Sequence, residues 1–331
     1  MRKRLMDEPD NRSMHSYRTP TLGGIGIFFS VMLVIAITGA FLDAQVLLLV
    51  MGGLTILFFL GLKDDLTVLS PKKKLIGQLI AALLIVIFGD SRILSFSSIL
   101  GIGELPYYIS LVFTLFVYIL IINAYNLIDG VDGLAGSVAL LISAVFAFLF
   151  FSTGDLSLAT LAIALMGALL AFLRYNMSSR LKIFMGDTGS MIVGFLLAFF
   201  TVSFVSQSQL NISSEFYEAS PAIVLALLFY PLIDTCRIFC FRMFVLKSSP
   251  FAPDKNHIHH MFISLGYTHI KTTLMISAVS LIIVCIAFNL IHLNLNLQII
   301  ALLLYGSVLY LIPLWISKAK YKAEINKKNL S

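Results

Sequence analysis

The chain has 331 residues, of which 59% are hydrophobic and 12% charged, with a mean hydropathy of +0.96. That balance excludes an ordinary soluble domain, which carries about twice the charge, at ~25%. The net charge of +6 is not gathered into an Arg/Lys block with interleaved aromatics, so a nucleic-acid-binding role is excluded as well.

Ten apolar stretches follow one another along the chain: residues 22–41, 45–62, 75–89, 107–122, 134–151, 157–173, 189–206, 220–238, 273–292 and 297–316. Each reaches, or nearly reaches, the length that crosses ~30 Å of hydrocarbon at ~1.5 Å per helical residue. The third is the shortest. They predict an all-α, polytopic helical bundle of about ten transmembrane helices, forming a single integral membrane domain over 1–331. The longest connection, 239–272, is too small to bury a core of its own. Segments 90–106 and 207–219, rich in Ser, Gly, Asn and Gln, read as loops, with a small hairpin around Gly101-Ile102-Gly103.

Alternating the ten spans puts 22 of the 23 basic residues on one side and leaves Arg92 alone on the other. By the positive-inside rule the basic side is cytoplasmic, with both termini there. Residues 1–21 hold Asp7, Glu8 and Asp10 among their basic residues and do not read as a cleavable signal. Cys236, Cys240 and Cys285 lie in apolar stretches without metal-type spacing and are expected to pack in the core.

Four polar clusters interrupt this sequence, all on the basic side. Lys63-Asp64-Asp65 ends the second span, ahead of Pro71 and Lys72-Lys73-Lys74. Two acids at a helix C-terminus oppose the macrodipole, so a compensating partner is expected nearby. Asn123-Ala-Tyr-Asn126-Leu-Ile-Asp129-Gly-Val-Asp132-Gly sets an amide or carboxylate at every third position. Gly130 and Gly133 break the helix there, and a broken helix at membrane depth is tolerated around a polar cavity. Phe184-Met185-Gly186-Asp187-Thr188-Gly189-Ser190 opens a span. It reads both as an N-cap and as a hard oxygen ligand beside helix-start N–H groups that favour phosphate. Asp254-Lys255-Asn256-His257-Ile258-His259-His260 holds three of the six histidines. No second Cys or His pair completes a zinc site, and facing a phosphate is the better reading. Asp234 reads as structural, paired with Arg237 or Arg242.

In this order and composition the four clusters resemble the polyprenyl-phosphate N-acetylhexosamine-1-phosphate transferases, over nearly the whole chain. His-Ile-His-His is closer to the bacterial undecaprenyl-phosphate N-acetylglucosamine-1-phosphate transferases, of glycosyltransferase family 4 type, than to the phospho-N-acetylmuramoyl-pentapeptide transferases. The latter usually carry three consecutive histidines and remain the alternative; a transporter is the rival from another class. Residues 5–24 resemble the cytoplasmic stretch that follows a first transmembrane helix in this group, so one family helix is expected to be missing before residue 5.

The resemblance implies an enzyme of the bacterial inner membrane that starts a cell-surface polysaccharide. Its partners would be a UDP-N-acetylhexosamine, undecaprenyl phosphate and the lipid bilayer, with a homodimer as a further expectation. It implies Mg²⁺, or Mn²⁺ in its place, held by Asp187 and Asn126. Asp64, Asp65 and Asp187 take catalytic roles, the first two positioning the lipid phosphate or acting as base. Lys74, Asn123, Asp129, Asp132, His257, His259 and His260 bind substrate.

Overall fold

Capping residues and prolines divide the apolar chain into helices. The computed structural model describes residues 6–7, 19–41, 45–97, 99–210, 215–247, 249 and 256–328. His15 in the N-terminal stretch, and Asp254 and Lys255 of the histidine cluster, lie outside them. Thirteen α-helices are described: α1 (Gly23–Phe41), α2 (Gln45–Thr67), α3 (Pro71–Leu83), α4 (Tyr107–Ile128), α5 (Leu134–Ser152), α6 (Leu156–Asn176), α7 (Gly186–Leu210), α8 (Glu215–Glu218), α9 (Ser220–Leu227), α10 (Phe229–Cys240), α11 (Ile258–Ser264), α12 (His269–Asn289) and α13 (Leu295–Lys328). Pro71 occupies the first turn of α3, where its missing N–H costs nothing. Asp155 accepts the Leu158 N–H at 2.9 Å to cap α6, and Thr268 caps α12 through the Lys271 N–H. Met6–Asp7 pairs antiparallel with Thr19–Pro20, just before α1.

The protein is an all-α polytopic membrane protein. Among the described residues eight helices, α1, α2, α4, α5, α6, α7, α12 and the first part of α13, are each long and apolar enough to cross a membrane. The pair Ser220–Leu227 and Phe229–Val245, bent by 71°, makes a ninth if its two halves form one span. The bend has a local cause: Pro231 cannot donate to the carbonyl four residues back, at Leu227, where α9 stops. The remaining stretch of the ten, the shortest, is not among these helices. Here α3 gives way at Leu84 to one π-helical turn ending at Phe88, and its first turn carries Lys72, Lys73 and Lys74.

Helix α7 is the hub. Its most apolar stretch is entirely buried, packed by α4, α2, α1 and α5. Phe146 and Phe150 of α5 meet Phe200 and Phe204 of α7 with ring centroids 5.7–6.3 Å apart, the tilted and edge-on arrangements aromatic pairs prefer. The outer helices leave Phe29, Leu33, Leu48, Phe116 and Ile163 exposed, as side chains facing lipid do. The cysteines belong with these. Cys236, Cys240 and Cys285 are exposed, not packed in the core. Lipid accommodates a thiol as readily as a protein interior does, so an apolar neighbourhood in sequence does not imply burial.

The segment after the π turn folds back as the expected hairpin. Ser95 bridges Glu104, and the Gln209 side chain binds the backbone of Leu94 and Ser95 from the far end of α7.

Candidate active site

The C-terminus of α2 meets the N-terminus of α7. Asp65 accepts the Asp187 N–H at 2.8 Å, the Thr188 N–H at 3.1 Å and the Thr188 hydroxyl at 2.6 Å. A carboxylate from one helix thus caps another, satisfying two of the four orphan donors of α7 and lying at the positive end of its dipole. Gly186 makes the turn possible. Its φ is +71°, and a Cβ there would lie 2.8 Å from Asp65 Oδ2. Asp64 points elsewhere: it is 2% exposed, pairs with Lys74 and accepts the Leu69 N–H. The Lys74 ammonium also lies 3.5 Å from Asp187 Oδ2. The two acids of α2 therefore have separate partners, a helix N-terminus for one and a lysine for the other.

Asn126, on the last turn of α4, donates its amide to Asp187 Oδ1 at 2.8 Å and to the Ser190 hydroxyl at 2.7 Å. Its carbonyl oxygen is the end left for a cation. Asp64, Asp65, Lys74, Asn126 and Asp187 thus form one connected network drawn from four helices.

The other members of the Asn/Asp series have other partners. Asn123 donates to Gln78 of α3 at 2.9 Å and to the Ile119 carbonyl. Asp132 Oδ2 lies 2.6 Å from Lys182 Nζ and 2.9 Å from His269 Nδ1, and the Thr273 hydroxyl donates to its backbone carbonyl. Burial works against the Asp132 charge, but His269 and Lys182 hold its carboxyl below the usual range. This geometry is that of a residue ordering the α4–α5 turn. Asp129 differs: burial, with the charges of Asp187, Asp65 and Asp132 adding to it, pushes its carboxyl up to about 7.

The histidines stand on a second network. His257 Nδ1 lies 2.7 Å from Asp234 Oδ2, while Asp234 Oδ1 accepts the Ile258 N–H at 2.8 Å and an Arg237 N–H at 3.2 Å. His259 Nδ1 is 3.2 Å from the Tyr230 hydroxyl, and its ring stacks on His257 with centroids 5.3 Å apart. His259 is 1% exposed. Burial takes its pKa down to about 3, so the ring is neutral at physiological pH. His260 packs against His259, with ring centroids 4.4 Å apart. A Cβ on Gly130 would lie 3.0 Å from His259 Nε2, so the histidine segment abuts the turn that follows Asp129.

Several contributors were not singled out in the sequence. Asn176, at the end of α6, accepts the Gly133 N–H at 2.6 Å and donates to the Ile183 carbonyl at 2.8 Å, tying the α4–α5 turn to the loop that delivers Asp187. Lys182 and His269 are likewise recruited. An amide closing an apolar span was the one available signal for Asn176.

The donor set suits a hard cation. Among the described residues no group of three or more His, Cys, Asp or Glu could by itself enclose a metal. Mg²⁺ does not need one, because it keeps water and is bound through one or two carboxylates together with substrate phosphate. One carboxylate oxygen pair and one amide carbonyl, with a lysine beside them, match that chemistry.

The model for glycosyl transferase family 4 matches residues 47–205, which hold the Asp64-Asp65, Asn123–Asp132 and Asp187 segments. The decaprenyl-phosphate N-acetylglucosaminephosphotransferase of Mycobacterium leprae is 31% identical over 291 residues, covering 81% of this chain and 72% of its own. The undecaprenyl-phosphate alpha-N-acetylglucosaminyl 1-phosphate transferase of Escherichia coli K12 is 29% identical over 272 residues, covering 80% and 70%.

Proposed function

The chain belongs to glycosyl transferase family 4, and from that premise we propose that it transfers N-acetylglucosamine 1-phosphate from the UDP-sugar to undecaprenyl phosphate. The observation that carries this reading is the junction of α2, α3, α4 and α7. One carboxylate, Asp187, is fixed there between an amide and a lysine at a helix N-terminus. Of the neighbouring acids, Asp64 shares Lys74 with it and Asp65 accepts its backbone N–H.

A terminal phosphate oxygen of the lipid attacks the β-phosphorus of the UDP-sugar. A new P–O bond forms, the bond between that phosphorus and the bridging oxygen breaks, and UMP leaves with the electron pair. With a second pKa near ~6 the lipid phosphate is already largely dianionic at neutral pH, so the site must position anions more than deprotonate one. Asp187 and the Asn126 carbonyl would hold Mg²⁺, or Mn²⁺, and the ion would supply positive charge to the phosphates. Lys74 offers a second positive charge beside Asp187, with Asp64 holding its ammonium in place. Asp65 holds the first turn of α7, and with it Asp187, in place. Asp129 and the histidine segment, which abuts the turn after it, are assigned to the substrate phosphates and nucleotide.

The distribution of basic residues supports an orientation with this junction and both termini in the cytoplasm of a bacterium, at the inner membrane, where UDP-sugars are made. The test is UMP release from purified protein with Mg²⁺, undecaprenyl phosphate and a panel of UDP-sugars. UDP-N-acetylglucosamine is expected to be the preferred donor. Faster release with UDP-N-acetylmuramoyl-pentapeptide, or no release with any donor, overturns the reading.

A further inference from the structure

Asp234 is fully buried, 0% exposed, in the bent part of the α9–α10 pair, outside the family's matched segment. A carboxylate is costly to bury unless it is paired and hydrogen-bonded. Each of its oxygens is engaged. Oδ2 takes His257 Nδ1 at 2.7 Å, and Oδ1 takes the Ile258 N–H and Arg237. The same Arg237 guanidinium also donates to the Asn256 carbonyl. Asp234 and Arg237 together therefore grip three consecutive residues, 256 to 258, where the segment enters α11. We propose that Asp234 is a positioning residue for the transfer reaction. It fixes the proton on His257 Nδ1 and turns His257 Nε2 toward the substrate phosphates, while His259, stacked on it and tied to Tyr230, braces its ring.

Two features separate these roles. Nδ1 of His257 is committed to Asp234, so Nε2 is the one ring nitrogen left for a ligand. His259 instead takes the Tyr230 hydroxyl at Nδ1, and its Nε2, which has no hydrogen-bond partner, is buried facing Gly130. A carboxylate holding the far nitrogen of an imidazole sets its tautomer and orientation, as in other sites where a histidine acts through one nitrogen. This inference rests on the transferase reading, because the ligand it assigns to Nε2 is that reaction's phosphate.

The test uses the full chain in detergent, with Asp234→Asn, Asp234→Glu, His257→Gln and the Asp234→Asn/His257→Gln double variant. Steady-state UMP release is read beside melting temperature and the ¹⁵N spectrum of histidine-labelled protein. Asp234→Asn is expected to lower kcat about 10–100-fold with a smaller change in KM, and Asp234→Glu to recover part of it. In the His257→Gln background Asp234→Asn should have almost no further effect. The ¹⁵N signals of His257 should show a protonated Nδ1 in the wild type and a shift of that proton in Asp234→Asn. Additive losses in the double variant, or a His257 spectrum unchanged by Asp234→Asn, would overturn the proposal. If the wild type releases no UMP the transferase reading fails, and with it the assignment of phosphate to Nε2; the spectrum then decides the Asp234 to His257 orientation by itself.

Discussion

Asp65 on α2 caps α7 across 122 residues of sequence, accepting the backbone N–H groups of Asp187 and Thr188. It therefore controls where the first turn of α7 begins. Replacing it with alanine leaves two buried N–H donors and the Thr188 hydroxyl without their acceptor. A cost of about 1–3 kcal/mol is expected for that exposure of unsatisfied groups. Asp65→Ala should lower the melting temperature of the purified protein and reduce UMP release, and Asp65→Asn, which keeps one acceptor oxygen, should be milder in both. A fully stable Asp65→Ala protein would remove the capping role.

The metal assignment turns on Asp187. An amide is a poorer ligand than a carboxylate for a hard cation. Asp187→Asn is expected to cut UMP release by about 100-fold or more, while the protein remains extractable and folded. EDTA should abolish turnover in the wild type and Mg²⁺ restore it. Near-normal rates in EDTA, or in the variant, would refute the assignment.

His259 makes stability depend on pH. Its pKa in the folded chain is about 3, against roughly 6.5 when unfolded. Between those values the unfolded state binds the extra proton. The stability from burying a neutral ring is complete above about pH 6.5 and is lost progressively as pH falls toward 3. Thermal unfolding followed from pH 7.5 to 5 should show this decline, and His259→Gln should flatten it. A variant with the wild-type slope would show that another group is responsible.

Orientation is open to labelling from outside. After the exposed Cys236, Cys240 and Cys285 are replaced by alanine, a membrane-impermeant thiol reagent applied to intact cells should modify a cysteine at Ser97, in the hairpin after α3. It should not modify one at Ser178, in the loop before α7. The opposite pattern would invert the protein and move the candidate site to the outside.

Much of the helical layout was legible because apolar length alone marks a span, whereas the caps at Asp155 and Thr268 came only with the structure. The unfavourable position of Asp64 and Asp65 at the end of α2 also foretold compensation, which Lys74 and the α7 N-terminus supply. The identity of the partners was not legible. A helix that is apolar on every side has no stripe to say which face turns inward. Nothing in sequence could then tell that Asn123 meets Gln78, that Asp132 is taken by Lys182 and His269, or that the cysteines look outward. Asp234 was read as a plain ion-pair partner of an arginine, and its grip on His257 depends on the 71° bend that a hydropathy profile does not show.

The enclosure of the most apolar stretch of α7 has a mechanical meaning. A helix that touches no acyl chain does not feel bilayer thickness directly; thickness reaches it only as tilting of the helices that surround it. Because Asp187 rides on α7 while its partners Lys74 and Asn126 ride on α3 and α4, such tilting changes the spacing between the charges rather than moving the group as a unit. The carboxylate is thus held to its partners by protein contacts alone, one helix removed from the lipid.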